Sequence, residues 1–172
     1  MLRLSSRKLI ILVLVVFFLS LYAIPFFKIR EIQPDLWILL VLFYAFRVDY
    51  KRAPLFSLGI GLLKDILSTR FFGLEIFSLG MVTILLSYVL GKIERDEPVN
   101  LIVSAVVYSL LYEMLACAGF VFLNGSYDLL PEFLARSCWR SFYTVVSFPL
   151  AFPFFEAIAE GRRKILYGGA FR

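Results

Sequence analysis

The chain has 172 residues, 61% of them hydrophobic and only 18% charged, with a mean hydropathy of +0.86. Soluble domains run at about 45–50% apolar and about 25% charged, and a domain of this size still exposes roughly a third of its unfolded surface, so a larger core cannot absorb the excess. The composition is that of an all-α integral membrane protein; the absence of histidine excludes Ser-His-Asp and Cys-His catalysis, His-ligated zinc and imidazole switching, and a net charge of +5 leaves the placement of 18 Lys and Arg to be explained.

A spanning helix needs about 20 apolar residues, and fewer where its neighbours bury it. Leu9–Phe27 follows Arg3, Arg7 and Lys8. It is longer than the core of a signal peptide, and Ala23-Ile24-Pro25 is a poor cleavage site, so it reads as a retained first span ending at Pro25. Pro34–Tyr50 comes next, with Pro34 starting a helix and Asp35 in the first turn, where a carboxylate complements the dipole. Its continuously apolar part, Leu36–Phe46, covers only about 16 Å. Pro54–Thr69 is also short and carries Lys64 and Asp65; together the two segments fit either two short, protein-buried spans or one re-entrant hairpin. Phe71–Gly91 is a full-length span. Val99–Leu123 is entered after Pro98 and closed by Asn124-Gly125, a turn signal. Arg136–Ile158 is the last span, and a kink is expected at Pro149 and Pro153. Cys117 and Cys138 stand alone in apolar runs without CxxC spacing and read as small buried residues. No repeat or soluble domain interrupts what is expected to be one transmembrane domain.

Six spans put both termini on one side, and the basic residues test that arrangement. The terminal side holds Arg3, Arg7, Lys8, Arg47, Lys51, Arg52, Lys92, Arg95, Arg162, Arg163, Lys164 and Arg172, whereas the opposite loops hold only Lys28, Arg30 and Arg70. By the positive-inside rule both termini are cytoplasmic. A re-entrant hairpin would dip Arg47, Lys51 and Arg52 into the bilayer, which favours two separate spans. Topology and anionic lipid account for this charge, so no nucleic-acid partner is expected.

Each later span carries a small or polar stripe at helical spacing: Ser57, Gly61, Asp65 and Thr69; Gly80, Thr83, Ser87 and Gly91; Ala105, Ser109, Glu113 and Cys117; Arg136, Arg140 and Thr144, with Ser147 or Phe148. Close helix packing explains such stripes. Charges inside a membrane are costly, and each is a functional candidate. Lys64, Asp65, Arg70, Glu75, Arg136 and Arg140 fall toward the outer half of the bilayer, with Glu113 near mid-depth. The expected arrangement is a polar cluster in which Arg140 or Arg136 partners Glu113 or Asp65. No nucleophile–base constellation, GxSxG element or paired acidic motif is present, so neither an enzyme nor a cofactor or metal site is expected.

Pro34-Asp35-Leu36 ahead of an apolar run, Gly59-Ile60-Gly61-Leu62-Leu63-Lys64-Asp65, and Gly73-Leu74 opening the next helix together resemble the MreD rod-shape-determining family. Length, span number and the basic tail fit as well. The resemblance implies a non-enzymatic scaffold in the inner membrane of bacteria that binds MreC. Such a scaffold acts in cell elongation and peptidoglycan synthesis alongside RodA, a class B penicillin-binding transpeptidase and MreB filaments. It assigns Pro34, Asp35, Gly59, Gly61, Asp65 and Gly73 to helix starts, close packing and partner docking, with Asp65 capping or pairing at the outer end of the third helix. Lys64 departs from the family, which commonly has an uncharged residue there; a cation beside Asp65 would neutralise it locally. The family's six-helix bundle is similar to the substrate-binding subunits of energy-coupling-factor transporters. The rival expectation is therefore a vitamin- or metal-uptake subunit with Asp65, Glu75, Glu113 and Arg140 as ligand contacts.

Overall fold

The computed structural model describes residues 6–23, 32–68, 71–92, 98–125, 127 and 130–160. Pro25, Lys28, Arg30, Thr69, Arg70 and Arg95, with Arg3 and the basic tail from residue 161 onward, lie outside the described residues. The rest form six helices: α1 (Ser6–Phe18), α2 (Leu36–Phe43), α3 (Ala53–Leu67), α4 (Leu74–Leu90), α5 (Pro98–Asn124) and α6 (Leu130–Glu160). One π-helical turn extends α1 over Leu19–Ala23, and another extends α2 over Tyr44–Val48. α6 starts well before the expected Arg136 and continues through both Pro149 and Pro153.

The short second segment is the centre of the molecule. Every residue of α2 from Trp37 to Phe43 is buried, and α2 packs against α1, α3, α5 and α6. A helix that is apolar all round needs cover on every side, and its neighbours supply it. With its π turn it is about 20 Å long. A tight turn then leads into α3, where Asp49 Oδ1 accepts from the backbone N–H groups of Lys51 and Arg52 at 2.9 and 3.4 Å. Arg47 at the end of the π turn pairs with Glu156 of α6 at 2.8 Å.

Two helical hairpins surround α2, one of α3 and α4 and one of α5 and α6, with α4 also against α5. α1 lies on the outside, burying Leu12 and Val16 one turn apart while exposing Ile10, Ile11, Leu14 and Phe18. Lys8 Nζ donates to the carbonyl of Ala159 at 2.7 Å, tying the start of α1 to the last turn of α6.

Polar side chains share the interior with the apolar core, and the outer surface is apolar, unlike that of a soluble protein. Ser57, Ser78, Thr83, Ser109, Ser141 and Thr144 are all almost fully buried. Phe77, Ile84, Leu85 and Leu111 face outward. Val99–Asn124 and Leu130–Ala159 are long and apolar enough to cross a membrane, whereas Leu36–Val48 and Leu74–Leu90 are apolar but shorter. Cys117 is buried as expected; Cys138 is exposed, on the outward side of α6, which corrects the expectation that both would be buried.

Candidate functional site

The sequence element Gly61-x-x-x-Asp65 builds the α3–α4 turn. Gly61 lies against the backbone of α4: a Cβ there would stand 2.7 Å from Ile76 Cα and 3.0 Å from the carbonyl oxygen of Glu75. One turn further on, Asp65 accepts backbone N–H bonds from Gly73, Glu75 and Ile76 at 3.0, 3.0 and 3.1 Å. These are the orphan donors at the start of α4, so the carboxylate of one helix caps the next. Gly73 precedes α4 with φ +97°, a left-handed conformation that glycine adopts without cost. Gly59 does none of this work. It is exposed, and a Cβ there would meet nothing within 4 Å.

Asp35 is a second shared cap. α2 starts at Leu36, so Pro34 precedes the cap rather than opening the helix. Asp35 Oδ1 accepts from the N–H groups of Trp37 and Ile38 at 3.0 and 3.4 Å. Its own N–H donates to Thr144 Oγ1 of α6 at 3.0 Å. The other oxygen, Oδ2, receives Lys64 Nζ at 2.7 Å and Arg140 Nη2 at 3.0 Å. Asp35 is 4% exposed, and it brings α2, α3 and α6 to one point.

A buried ionic network spreads from that point. Lys64 Nζ also meets Glu75 Oε2 at 3.1 Å and the hydroxyl of Tyr112, which itself donates to Glu75. Arg140 Nε pairs with Glu113 Oε1 at 3.2 Å. Two cations thus face three carboxylates: Asp35, Glu75 and Glu113. The positive helix ends offset the excess, since Asp35 caps α2 and Glu75 lies in the first turn of α4. Below the network Thr83 and Tyr108 share a hydrogen bond at 2.8 Å, and Ser109 and Ser141 share one at 2.7 Å. These pairs join α4 to α5 and α5 to α6.

The structure therefore brings together Asp35, Lys64, Glu75, Glu113 and Arg140, and it separates three expected partners. Among the described residues Asp65 meets no arginine, because three backbone N–H groups occupy it. Lys64 does not neutralise Asp65 either: adjacent helical residues diverge by about 100°, and Lys64 turns to Asp35 and Glu75. Arg136 stays outside the network, its side chain 55% exposed and 3.7 Å from Glu132. Sequence reasoning missed Tyr112, the hydroxyl that joins Lys64 to Glu75. Its position one residue before Glu113 on a polar stripe was the available signal.

A cavity of about 320 Å³ opens above the network, between the end of α1, the start of α2, the end of α3 and the first third of α6. Asp35, Lys64, Glu75 and Arg140 form its polar wall, with Arg136 beside them. Among the described residues no group of three or more acidic or cysteine side chains is placed to hold a metal ion.

The family model for the rod shape-determining protein MreD matches residues 4–159. The chain belongs to the MreD family. It thereby belongs to a family of membrane proteins with a role in determining rod shape. The match takes in all six helices, save the last residue of α6, and every residue of the network, together with Asp35, Gly61, Asp65 and Gly73, which cap and pack α2, α3 and α4. No curated protein and no solved structure matches the chain.

Proposed function

We propose that this protein is a non-catalytic scaffold of the cell-elongation machinery in the bacterial inner membrane, binding MreC and through it helping to organise peptidoglycan synthesis. The family match over residues 4–159 carries this reading. The chemistry of the interior supports it. The buried carboxylates and cations pair with one another and cap helices. RodA, a class B penicillin-binding transpeptidase and MreB would be reached through the complex. The apolar outer surface supports six crossings by a single domain, with α2 half-length because protein rather than lipid surrounds it. The positive-inside count supports cytoplasmic termini.

No comparison supports the rival reading of a vitamin- or metal-uptake subunit, nor a likeness to energy-coupling-factor proteins. Purification in mild detergent from cells that also make MreC tests the proposal. MreC should co-elute in fixed ratio with the folded protein. Folded protein that elutes without MreC, at membrane concentrations where both are abundant, would overturn it.

A further inference from the structure

The scaffold role uses the ionic network as a fastening, but it leaves the cavity above the network without a task. Its volume of about 320 Å³ is large enough for roughly ten waters at ~30 Å³ each, and it falls within the ordinary range of ligand pockets. Its charges are not equally accessible. Asp35 and Glu75 side chains are only 2% and 6% exposed and are covered by Lys64, whereas those of Arg140 and Arg136 are 23% and 55% exposed. The carboxylates face inward, and the surface offered to an occupant is guanidinium.

Two groups that lack a hydrogen bond sharpen that asymmetry. Arg140 has five N–H donors; Nη2 goes to Asp35, while Nε, 3.2 Å from Glu113 Oε1 as an ion pair, is covered and makes no hydrogen bond among the described residues. The hydroxyl of Ser20, on the opposite wall, is covered and has no hydrogen-bond partner among the described residues. Trp37, Leu36 and Leu67 give the remaining wall an apolar character. A planar guanidinium fork, a second arginine beside it and a free hydroxyl suit a tetrahedral oxyanion. For a protein in a bilayer, a pocket at the bundle end stands at the depth where phosphate is most abundant.

We infer that this cavity is a phosphate-binding site, taking the phosphate of a phospholipid headgroup or of a small soluble phosphate ester against Arg136 and Arg140. The site rests on the chain's residence in a membrane but not on MreC binding, so capture of MreC and occupancy of the cavity can fail separately. The whole protein in a maltoside detergent, free of added lipid, is titrated with three probes: glycerol 3-phosphate, phosphatidylglycerol and dioleoylglycerol, the last being the same lipid type without phosphate. Tryptophan fluorescence reads Tm. A phosphate probe should raise Tm by several degrees while dioleoylglycerol does not. A response to glycerol 3-phosphate identifies a soluble ester; a response to phosphatidylglycerol alone identifies a headgroup. Arg136→Gln, at an exposed position that folding does not need, should weaken binding about tenfold, and Leu67→Trp should narrow the cavity with a similar effect. Lys51→Gln, at the opposite end, should change nothing. No shift with either phosphate probe overturns the inference. So does an equal shift in wild type and Arg136→Gln, which would mark general attraction to a basic surface.

Discussion

Two glycines two residues apart have opposite roles. At Gly61 an added methyl would enter the backbone of α4, which cannot yield as a side-chain tip would. Gly61→Ala should therefore cost about 1–3 kcal/mol by overpacking. Gly59→Ala should be neutral or stabilise by up to about 1 kcal/mol, because alanine favours helix and nothing stands in its way. Unfolding in detergent, followed by circular dichroism, separates the two. Lys64 is the other decisive residue. Lys64→Met would leave Asp35 with Arg140 as its one described cation and Glu75 with the Tyr112 hydroxyl but no described cation. Removing one partner of a buried pair costs about 3–5 kcal/mol, and adding Glu75→Gln should recover part of the loss, as a double-mutant cycle would show. Exchanging charges at Glu113 and Arg140 should give incomplete rescue, since the new carboxylate at position 140 would face Asp35.

At the scale of the helix, α2 explains why hydropathy length and membrane thickness disagree. Leu36–Phe46 is too short to cross a bilayer unaided, yet every side chain from Trp37 to Phe43 finds protein around it. The helix is solvated by its neighbours. Leu40, with no exposed surface, should lose about 2–5 kcal/mol on replacement by alanine through the cavity left behind. Ile84 on α4 is 58% exposed; there alanine should cost less than about 1 kcal/mol, because lipid fills the space that the side chain leaves. Equal losses at the two positions, in the same detergent unfolding assay, would argue against α2 as the core. The α3–α4 hairpin shows the other device of this fold. Asp65 closes the turn by capping the following helix, so a buried carboxylate is satisfied by backbone rather than by an opposite charge.

For the whole molecule, the arrangement in the membrane is the proposal most open to direct measurement. In a Cys138→Ser background, which leaves only the buried Cys117, Lys51→Cys should react with an impermeant maleimide only from the cytoplasmic side. Tyr127→Cys should react only from the outside. Labelling of both from one side would remove the six-span topology. Much of the architecture was legible in the chain. Periodic apolar runs, prolines and the Asn124-Gly125 turn signal marked six helical segments, because a helix in lipid must satisfy its backbone internally and its sequence must be apolar along its length. The sequence also marked Lys64, Glu75, Glu113 and Arg140 as interior charges, since each carries a desolvation cost that only a partner can offset, but it counted the exposed Arg136 among them and left out Asp35. Which partner each finds was decided by tertiary structure. Asp35 and Lys64, 29 residues apart and on different helices, meet only because α2 is threaded through the centre; Asp65 turns to backbone because Gly61 draws α4 close. Pairing between helices depends on their rotation and approach. Those are fixed by packing across the whole bundle, and no local spacing encodes them.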